Sequence, residues 1–310
     1  MTEPEPTEGQ PLVRINSSTE SLNPRSAELD MMSALDIVTL MNDEDATVPA
    51  AIRPALPAIA AAVDDITGRL RDGGRLVYAG AGTSGRLAVL DAVECVPTFS
   101  VPPTLVTALM AGGHAALTAS IEGAEDDATA ARADVATADV GPTDALVGIA
   151  ASGTTTYVLA AIEEARRRGA VTVAISNNAP APILEAADHA IAAVTGPEVL
   201  AGSTRLKAGT AQKLILNMLS TATMVRLGKV YGNRMVDVAV TNKKLRARAE
   251  GIVADLVGCT PDAASELLDA ADENVKVAVL MGLAEVDAPT ARARLDAAAG
   301  ILGDALAKGG

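Results

Sequence analysis

The sequence predicts an α/β protein: a doubly wound, five-stranded parallel sheet, preceded by an N-terminal helical arm and followed by a small C-terminal helical bundle. Three observations predict it. Short apolar runs, β-branched in part, at 75–79, 105–109, 145–150, 171–176 and 190–194 alternate with helical stretches near 87–93, 114–135, 155–168 and 181–187. That spacing implies parallel strands, right-handed crossovers and helices on both faces. Two of the runs end in loops of Gly, Ser and Thr that lead straight into a helix, and a sheet of this kind binds ligands beyond the carboxyl ends of its strands. Finally, a chain of 310 residues, 49% apolar, can form one large α/β domain plus an accessory unit.

Residues 1–25 are polar and Pro-containing and are expected to form a flexible tail. The arm follows over 26–70. Leu29, Met32, Leu35, Ile37, Val38 and Met41 predict an amphipathic helix from Ser26 that stops near 42–45. A second helix is expected over 50–70, with Ile52, Leu56, Ile59, Val63 and Ile66 on one face. Pro54 and Pro57 lie early in it, where a missing donor is best tolerated. Such an arm wraps its own domain or a partner subunit. The sheet domain is expected over 71–235, closing with a strong helix at 208–227, and the bundle over 243–310. In the bundle three short helices are legible. Gly258 ends one, Thr260-Pro261 starts another as N-cap and first residue, and Asp287-Ala288-Pro289 starts the third.

The chain is organised around RLVYAGAGTSGRLAVLDAVECVP, residues 75–97. A strand that turns through small residues into a helix aims free N–H groups and the positive dipole end at one point, which suits a phosphate. Thr83 and Ser84 add hydroxyls and Arg86 a cation; a tight turn with Ser as N-cap is the alternative reading. VGIAASGTTTYVLAAIEEARRRG repeats the device with Ser152, Thr154 and Thr155. Neither loop is a P-loop, for neither ends in Gly-Lys-Ser/Thr. Gly80-Ala81-Gly82-Thr83-Ser84-Gly85 matches GxGxxG formally, but no acidic residue closes a second strand about 20 residues on, where a ribose would need it. Hydroxyl-rich loops point to a single phosphate.

Composition excludes much else. A formal net charge of −14 leaves no basic stripe for nucleic acid. No apolar run approaches the ~18 residues of a membrane span, and the acidic start MTEPEPTEGQ is unlike a signal peptide. Two cysteines (Cys95, Cys259) and two histidines (His114, His189), none clustered, argue against disulfides and zinc. A cytoplasmic protein without metal or other cofactor is expected. With no Trp, one Phe and three Tyr, its core must be Ala, Val, Leu and Ile.

Past the sheet, Ser203, Arg205, Lys207 and Thr210 form the densest donor cluster of an acidic chain, before a strong helix. Among the carboxylates, Glu94 is expected at a helix C-terminus closed by Val96-Pro97. There it is either simply solvated, as surface carboxylates are, or meets the negative end of the dipole in a placement that suits acid–base work. Glu122, Glu125, Asp126 and Asp127 lie in IEGAEDD, which reads as an acidic helix start.

GAGTSGRLAVLDAVECVPTF, IEGAEDD, GIAASGTTTYV, GSTRLKAGTAQKLILNMLST and GNRMVDVAVTNKKL together resemble the N-acetylmuramic acid 6-phosphate etherases of the sugar-isomerase (SIS) superfamily. The resemblance extends upstream through MNDEDATVPAAI and covers most of the chain from about Leu12. It implies an SIS αβα sandwich and a homodimer without metal or nucleotide. The implied activity is removal of D-lactate from C3 of the amino sugar, giving N-acetylglucosamine 6-phosphate in cell-wall recycling. By resemblance Glu94 is the proton donor and Glu125 a second catalytic glutamate. Thr83, Ser84, Arg86, Ser152, Thr154 and Thr155 would hold the phosphosugar, with Ser203, Arg205 and Lys207 as further donors. If the helix from Ser84 runs unbroken, Glu94 lies roughly 15 Å from the phosphate loop. Either the helix ends early or Glu94 serves the neighbouring subunit. An aldose–ketose isomerase or a non-catalytic phosphosugar regulator would use the same loops.

Overall fold

The structure, a computed structural model, describes residues 18–238, 240 and 242–307. Most of the expected flexible tail, residues 1–17, lies outside the described residues. Its last part is not loose: residues 18–25 fold onto the sheet in the 3-10 turns Ser18–Glu20 and Pro24–Ser26. Thr19 and Asn23 are buried there, and Asn23 caps the second turn by accepting from the Arg25 N–H at 2.9 Å.

The arm also differs from its periodicity. Its first α-helix, α1 (Ala34–Asp45), begins not at Ser26 but after a further 3-10 turn, Leu29–Met31, because Ser33 supplies the N-cap for the Asp36 N–H. The second stretch is split into α2 (Val48–Ile52), a 3-10 turn Arg53–Ala55 and α3 (Leu56–Arg71). Pro54 and Pro57 bring no N–H to the ladder there. Against the expectation that no apolar run reaches the length of a membrane span, the run 34–71 is long and apolar enough by length and composition to cross a membrane. Yet Val48, Ile52, Ile59, Ala62, Val63 and Ile66 are buried in the protein's own core. Met31, Leu35 and Val38 are not: they are 81%, 72% and 58% exposed.

The sheet comprises β1 (Leu76–Gly80), β2 (Val106–Met110), β3 (Ala145–Ala150), β4 (Val171–Ser176) and β5 (His189–Ala192), each within a residue or two of its expected place. Between and after them run α4 (Gly82–Phe99), α5 (Ala128–Thr137), α6 (Thr156–Arg167), α7 (Pro182–Ala186) and α8 (Lys207–Arg226). The order is β2-β1-β3-β4-β5 and every pairing is parallel. After β1 the chain steps outward to β2, then crosses back to β3 on the other side, so the switch point lies between β1 and β3. Side chains alternate by strand position. Leu76, Tyr78, Val147 and Ile149 join the core under α3, α4 and α8. Val77, Ala79 and Leu146 join the core under α5 and α6. Each fully buried isoleucine, such as Ile66 or Ile162, contributes about 1.5–3 kcal/mol.

Within the sheet domain two helix expectations fail. The stretch 114–135 is not one helix: 3-10 turns His114–Leu117 and Ala124–Asp126 precede α5, which starts where Asp127 caps the Ala130 N–H at 2.8 Å. Nor does α4 stop at Val96. It runs through Pro97 to Phe99, whose burial against the core holds the last turn despite the missing proline donor.

A short hairpin, β6 (Val230–Tyr231) and β7 (Arg234–Met235), leads to the bundle. Among the described residues the bundle has five helices, not three: α9 (Lys243–Val257), α10 (Pro261–Ala270), α11 (Val275–Ala284), α12 (Ala288–Ala297) and α13 (Leu302–Ala307). Thr260 and Asp287 cap α10 and α12 as their sequence predicts. The central α11, VKVAVLMGLA, has no amphipathic stripe to reveal it, because Val275 through Leu280 are all buried.

Candidate active site

The opening of α4 is built by close packing. A Cβ on Gly85 would lie 2.7 Å from the Gly80 carbonyl oxygen and 2.3 Å from the Met110 sulfur, so only glycine lets the helix start this near β1. Gly82, Thr83 and Ser84 therefore form the helix's first turn rather than a loop before it, and Ala81 is the cap residue, without a side-chain hydrogen bond. N–H groups in a first turn have no intrahelical acceptor and are left to face a ligand. At the end of β3, Gly153 has φ +74°, and a Cβ there would lie 2.4 Å from that of Ala181. The Ser152 hydroxyl oxygen accepts from the Thr154 N–H at 3.2 Å and from the Thr154 hydroxyl at 3.1 Å, which fixes the second set of hydroxyls.

Because β1 and β3 are neighbours, the two loops face one another across the switch point. Between them is a cavity of about 370 Å³ walled by Thr83, Ser84, Ser152, Thr154 and Thr155. Glu125 and Asp126 close one side, and Glu20, Gly202 and Thr204 contribute the rest of the polar wall. A second cavity of about 320 Å³, lined by Arg86, Ser120 and Glu122, shares Ala81, Gly82 and Glu125 with the first. Glu125 thus stands at the junction of both. Asp127, next in IEGAEDD, performs the helix capping that the sequence ascribes to the whole acidic cluster, leaving Glu125 and Asp126 facing the cavity.

The cations are placed otherwise than expected. Arg86 donates to the carbonyl oxygens of Ala116, Leu117 and Ala119 at 2.8–3.1 Å, so it holds the wall of the second cavity rather than standing free for a phosphate. Lys207 is 3% exposed, and its ammonium donates to Glu44 of α1 at 2.5 Å. It is a structural ion pair, not a free donor. Arg25 donates to the other Glu44 oxygen at 3.0 Å. Burial alone would push the Glu44 carboxyl up, but Lys207 and Arg25 outweigh it and hold the group below its ordinary value. Below the lysine, Glu198 accepts from the Lys207 and Ala208 N–H groups at 2.9 and 3.0 Å, capping α8, and burial raises its pKa. Ser203 and Arg205 are not in the cavity wall, which is formed by their neighbours Gly202 and Thr204; Arg205 is exposed.

Glu94 lies elsewhere. With α4 unbroken, the axis rises about 18 Å from Gly82 to Glu94, and the side chain is solvent-exposed. Its direction is fixed by Asp91, which is buried and accepts from Tyr78 Oη at 2.8 Å, Asn217 Nδ2 at 2.7 Å and Ser220 Oγ at 3.1 Å. These bonds lock α4 onto β1 and α8 and turn Leu90, Val93, Glu94 and Pro97 outward, at i, i+3, i+4 and i+7. Leu90 and Val93 are 52% and 60% exposed. Beside the stripe, an apolar groove of about 430 Å³ runs between α4 and the edge strand β2, lined by Val89, Val93, Val96, Pro103 and Val106. Cys95 is no nucleophile: burial, then the charge of Asp91, pushes its thiol up to about 12.

Three wall residues escape a reading of motifs: Glu20, Asp126 and Thr204. Thr204 and Asp126 neighbour residues the motifs single out, whereas Glu20 lies in a segment whose composition reads as tail.

A family profile described as "Glucokinase regulatory protein N-terminal SIS domain" matches residues 58–166, and one described as "SIS domain" matches 125–222. The chain is 54% identical to the N-acetylmuramic acid 6-phosphate etherase of Streptomyces avermitilis, over 94% of this chain and 93% of that protein. It is 52% identical to the protein of the same name from Cutibacterium acnes, over 92% and 94%. It is likewise 52% identical to that from Pectobacterium atrosepticum, over 94% and 96%.

Proposed function

The chain belongs to the N-acetylmuramic acid 6-phosphate etherase family, and we propose that its paired hydroxyl loops hold the sugar's 6-phosphate while glutamates from two subunits open the ether. The enzyme is a carbon–oxygen lyase that cleaves the D-lactyl ether of N-acetylmuramic acid 6-phosphate, yielding N-acetylglucosamine 6-phosphate and D-lactate. The observation that carries the residue assignment is the meeting of both loops at the β1–β3 switch point, with Glu125 at the junction of the two cavities.

The first-turn N–H groups of α4 and the hydroxyls of Ser84, Ser152, Thr154 and Thr155 receive the phosphate. The sugar's C2 and C3 then lie toward Glu125. Ring opening exposes an aldehyde whose C2–H is acidic. Glu125 removes that proton, and Glu94 protonates the departing lactate oxygen as the C3–O bond breaks. Water adds to the unsaturated aldehyde by the same groups acting in reverse. Arg205, exposed just beyond the wall, is the counter-charge for the lactyl carboxylate.

Glu94 is too far along α4 to reach this chain's own cavity, which favours a homodimer. A second copy covering the apolar stripe of Leu90, Val93 and Pro97 brings its Glu94 to the first copy's cavity, and receives one in return. The exposed Met31, Leu35 and Val38 extend the surface available for assembly. The arm over 26–70 and the bundle over 243–310 serve this assembly around the sheet domain, in a cytoplasmic enzyme.

The test is incubation with N-acetylmuramic acid 6-phosphate and measurement of D-lactate. Release of lactate is expected. Binding without lactate would favour a phosphosugar regulator, and a ketose product without lactate would favour an isomerase.

A further inference from the structure

Three carboxylates line the phosphate-loop cavity, and only two belong to the acidic stretch beside α5. The third, Glu20, arrives from the other end of the chain on the 3-10 turn Ser18–Glu20. Its delivery is not casual. The turn is strapped across the carboxyl ends of β3 and β4 by the side chain of Asn178, itself 5% exposed. Asn178 Nδ2 donates to Thr19 Oγ1 at 3.0 Å and to the Ala151 carbonyl at 2.9 Å, and Asn178 Oδ1 accepts from Ser18 Oγ at 2.9 Å. One asparagine therefore ties the strap to the residue just before Ser152. Thr19 is 1% exposed, and its carbonyl accepts from the Gly202 N–H at 3.3 Å. The strap is thus held on both sides, to the second loop and to the segment that brings Thr204 to the wall.

The Glu20 carboxylate has no hydrogen-bond or ion-pair partner among the described residues. It lies close to Gly202: a Cβ on Gly202 would lie 3.2 Å from Glu20 Oε2. A pinned backbone with an unpartnered charged acceptor facing a ligand cavity is an arrangement built for donors that the ligand brings. The phosphate has no hydrogen to donate when ionised, and a second anion beside it is repelled. The donors must be the hydroxyls or the amide N–H of the sugar. Nor do Glu20, Glu125 and Asp126 form a metal-binding group: among the described residues no three His, Cys, Asp or Glu side chains cluster at such spacing. They address different parts of one ligand.

We propose that Glu20 is a specificity-determining residue of the active site, accepting hydrogen bonds from the hydroxyl or amide donors of the sugar whose 6-phosphate lies on the two loops, and that the strap Ser18–Glu20 is the wall that carries it. The proposal rests on the phosphosugar reading of the cavity but not on turnover, so binding rather than activity tests it.

The full-length protein and its Glu20→Ala, Glu20→Gln and Thr19→Val variants are titrated by calorimetry with two probes, N-acetylglucosamine 6-phosphate and inorganic phosphate. Removing a charged acceptor should weaken the sugar phosphate by about tenfold or more while changing inorganic phosphate by less than about twofold. Glu20→Gln, which keeps a neutral acceptor, should lose less than Glu20→Ala. Thr19→Val leaves the carboxylate in place but unpins the strap from Asn178, and should reproduce the selective loss for the sugar. Equal weakening of both probes, or unchanged sugar affinity in Glu20→Ala, would overturn the proposal. Unchanged sugar affinity in Thr19→Val would overturn the part given to the strap. Wild-type protein that bound N-acetylglucosamine 6-phosphate but released no lactate from N-acetylmuramic acid 6-phosphate would contradict the etherase chemistry and leave this comparison fully readable.

Discussion

Replacing Glu44 by alanine should destabilise the protein far more than an ordinary helix substitution. The Lys207 and Glu44 side chains are only 4% and 9% exposed, and their ion pair joins the arm to the first turn of α8. Deleting the carboxylate leaves a buried ammonium without its partner, which costs about 3–5 kcal/mol. The second pair lost, Arg25–Glu44, has a guanidinium 49% exposed, so it adds only about 0.2–1 kcal/mol. Urea unfolding of Glu44→Ala should therefore show an unfolding free energy lowered by that total, read as a lower midpoint at an unchanged slope. Glu44→Leu combined with Lys207→Met removes both charges and should recover most of the loss. The pH dependence has a definite sign. Glu44 titrates below its ordinary value when folded, so its stabilisation is present above the unfolded value, about 4.3, and disappears as pH falls through the folded one. Wild type should lose its advantage over Glu44→Ala in that acid range. Glu198, raised by burial, acts oppositely, stabilising at low pH and ceasing to as pH rises through its folded value. It is common to both proteins and cancels in the comparison. A loss below about 1 kcal/mol, or a double variant no more stable than the single one, would refute the reasoning.

Ser84→Ala and Ser152→Ala should each weaken phosphosugar binding by about 1–3 kcal/mol, the loss of a hydrogen bond to a charged group, with unfolding midpoints nearly unchanged; wild-type affinity in both would place the phosphate elsewhere. Glu94→Gln keeps the side chain's shape but removes the acid, so lactate release should fall by about 10²-fold or more. Mixing Glu94→Gln protein with Ser152→Ala protein, at a substrate concentration too low to fill the Ser152→Ala site, should raise activity above that of either variant alone, because a mixed dimer then has one site with both wild-type residues. No recovery despite verified subunit exchange would mean that each site is contained in one chain.

The parts of the fold that show in the sequence are those with a period or a cap. The strands end in small residues and alternate with helices, and Thr260 and Asp287 announce their helices by capping chemistry. The parts that do not show have an informative physical cause. The central bundle helix α11 is buried along its whole first half, Val275 through Leu280, so no polar face marks its period there. α4 continues through a proline because tertiary burial of Phe99 overrides the local penalty. In the site, the hydroxyl loops are legible because backbone geometry demands their small residues. Whether a cation is free is not legible, since the partners that take up Arg86 and Lys207 come from Ala116–Ala119 and from Glu44, distant in the chain. Glu20 is hidden for the same reason: Asn178, far along the sequence, is what holds its strap.

The central claim is elimination followed by hydration, and isotopes in the product test it directly. Displacement of lactate at C3 by water would bring in a solvent oxygen but leave the C2–H untouched. Hydrolysis at the lactyl carbon would leave the sugar's own oxygen in place. Elimination and hydration require both that C2 lose its proton and that C3 lose its oxygen. Turnover of N-acetylmuramic acid 6-phosphate in D₂O enriched in ¹⁸O, followed by mass spectrometry and NMR, should yield N-acetylglucosamine 6-phosphate with deuterium at C2 and ¹⁸O at C3. Product that retains hydrogen at C2 would contradict the account, whichever glutamate proved essential.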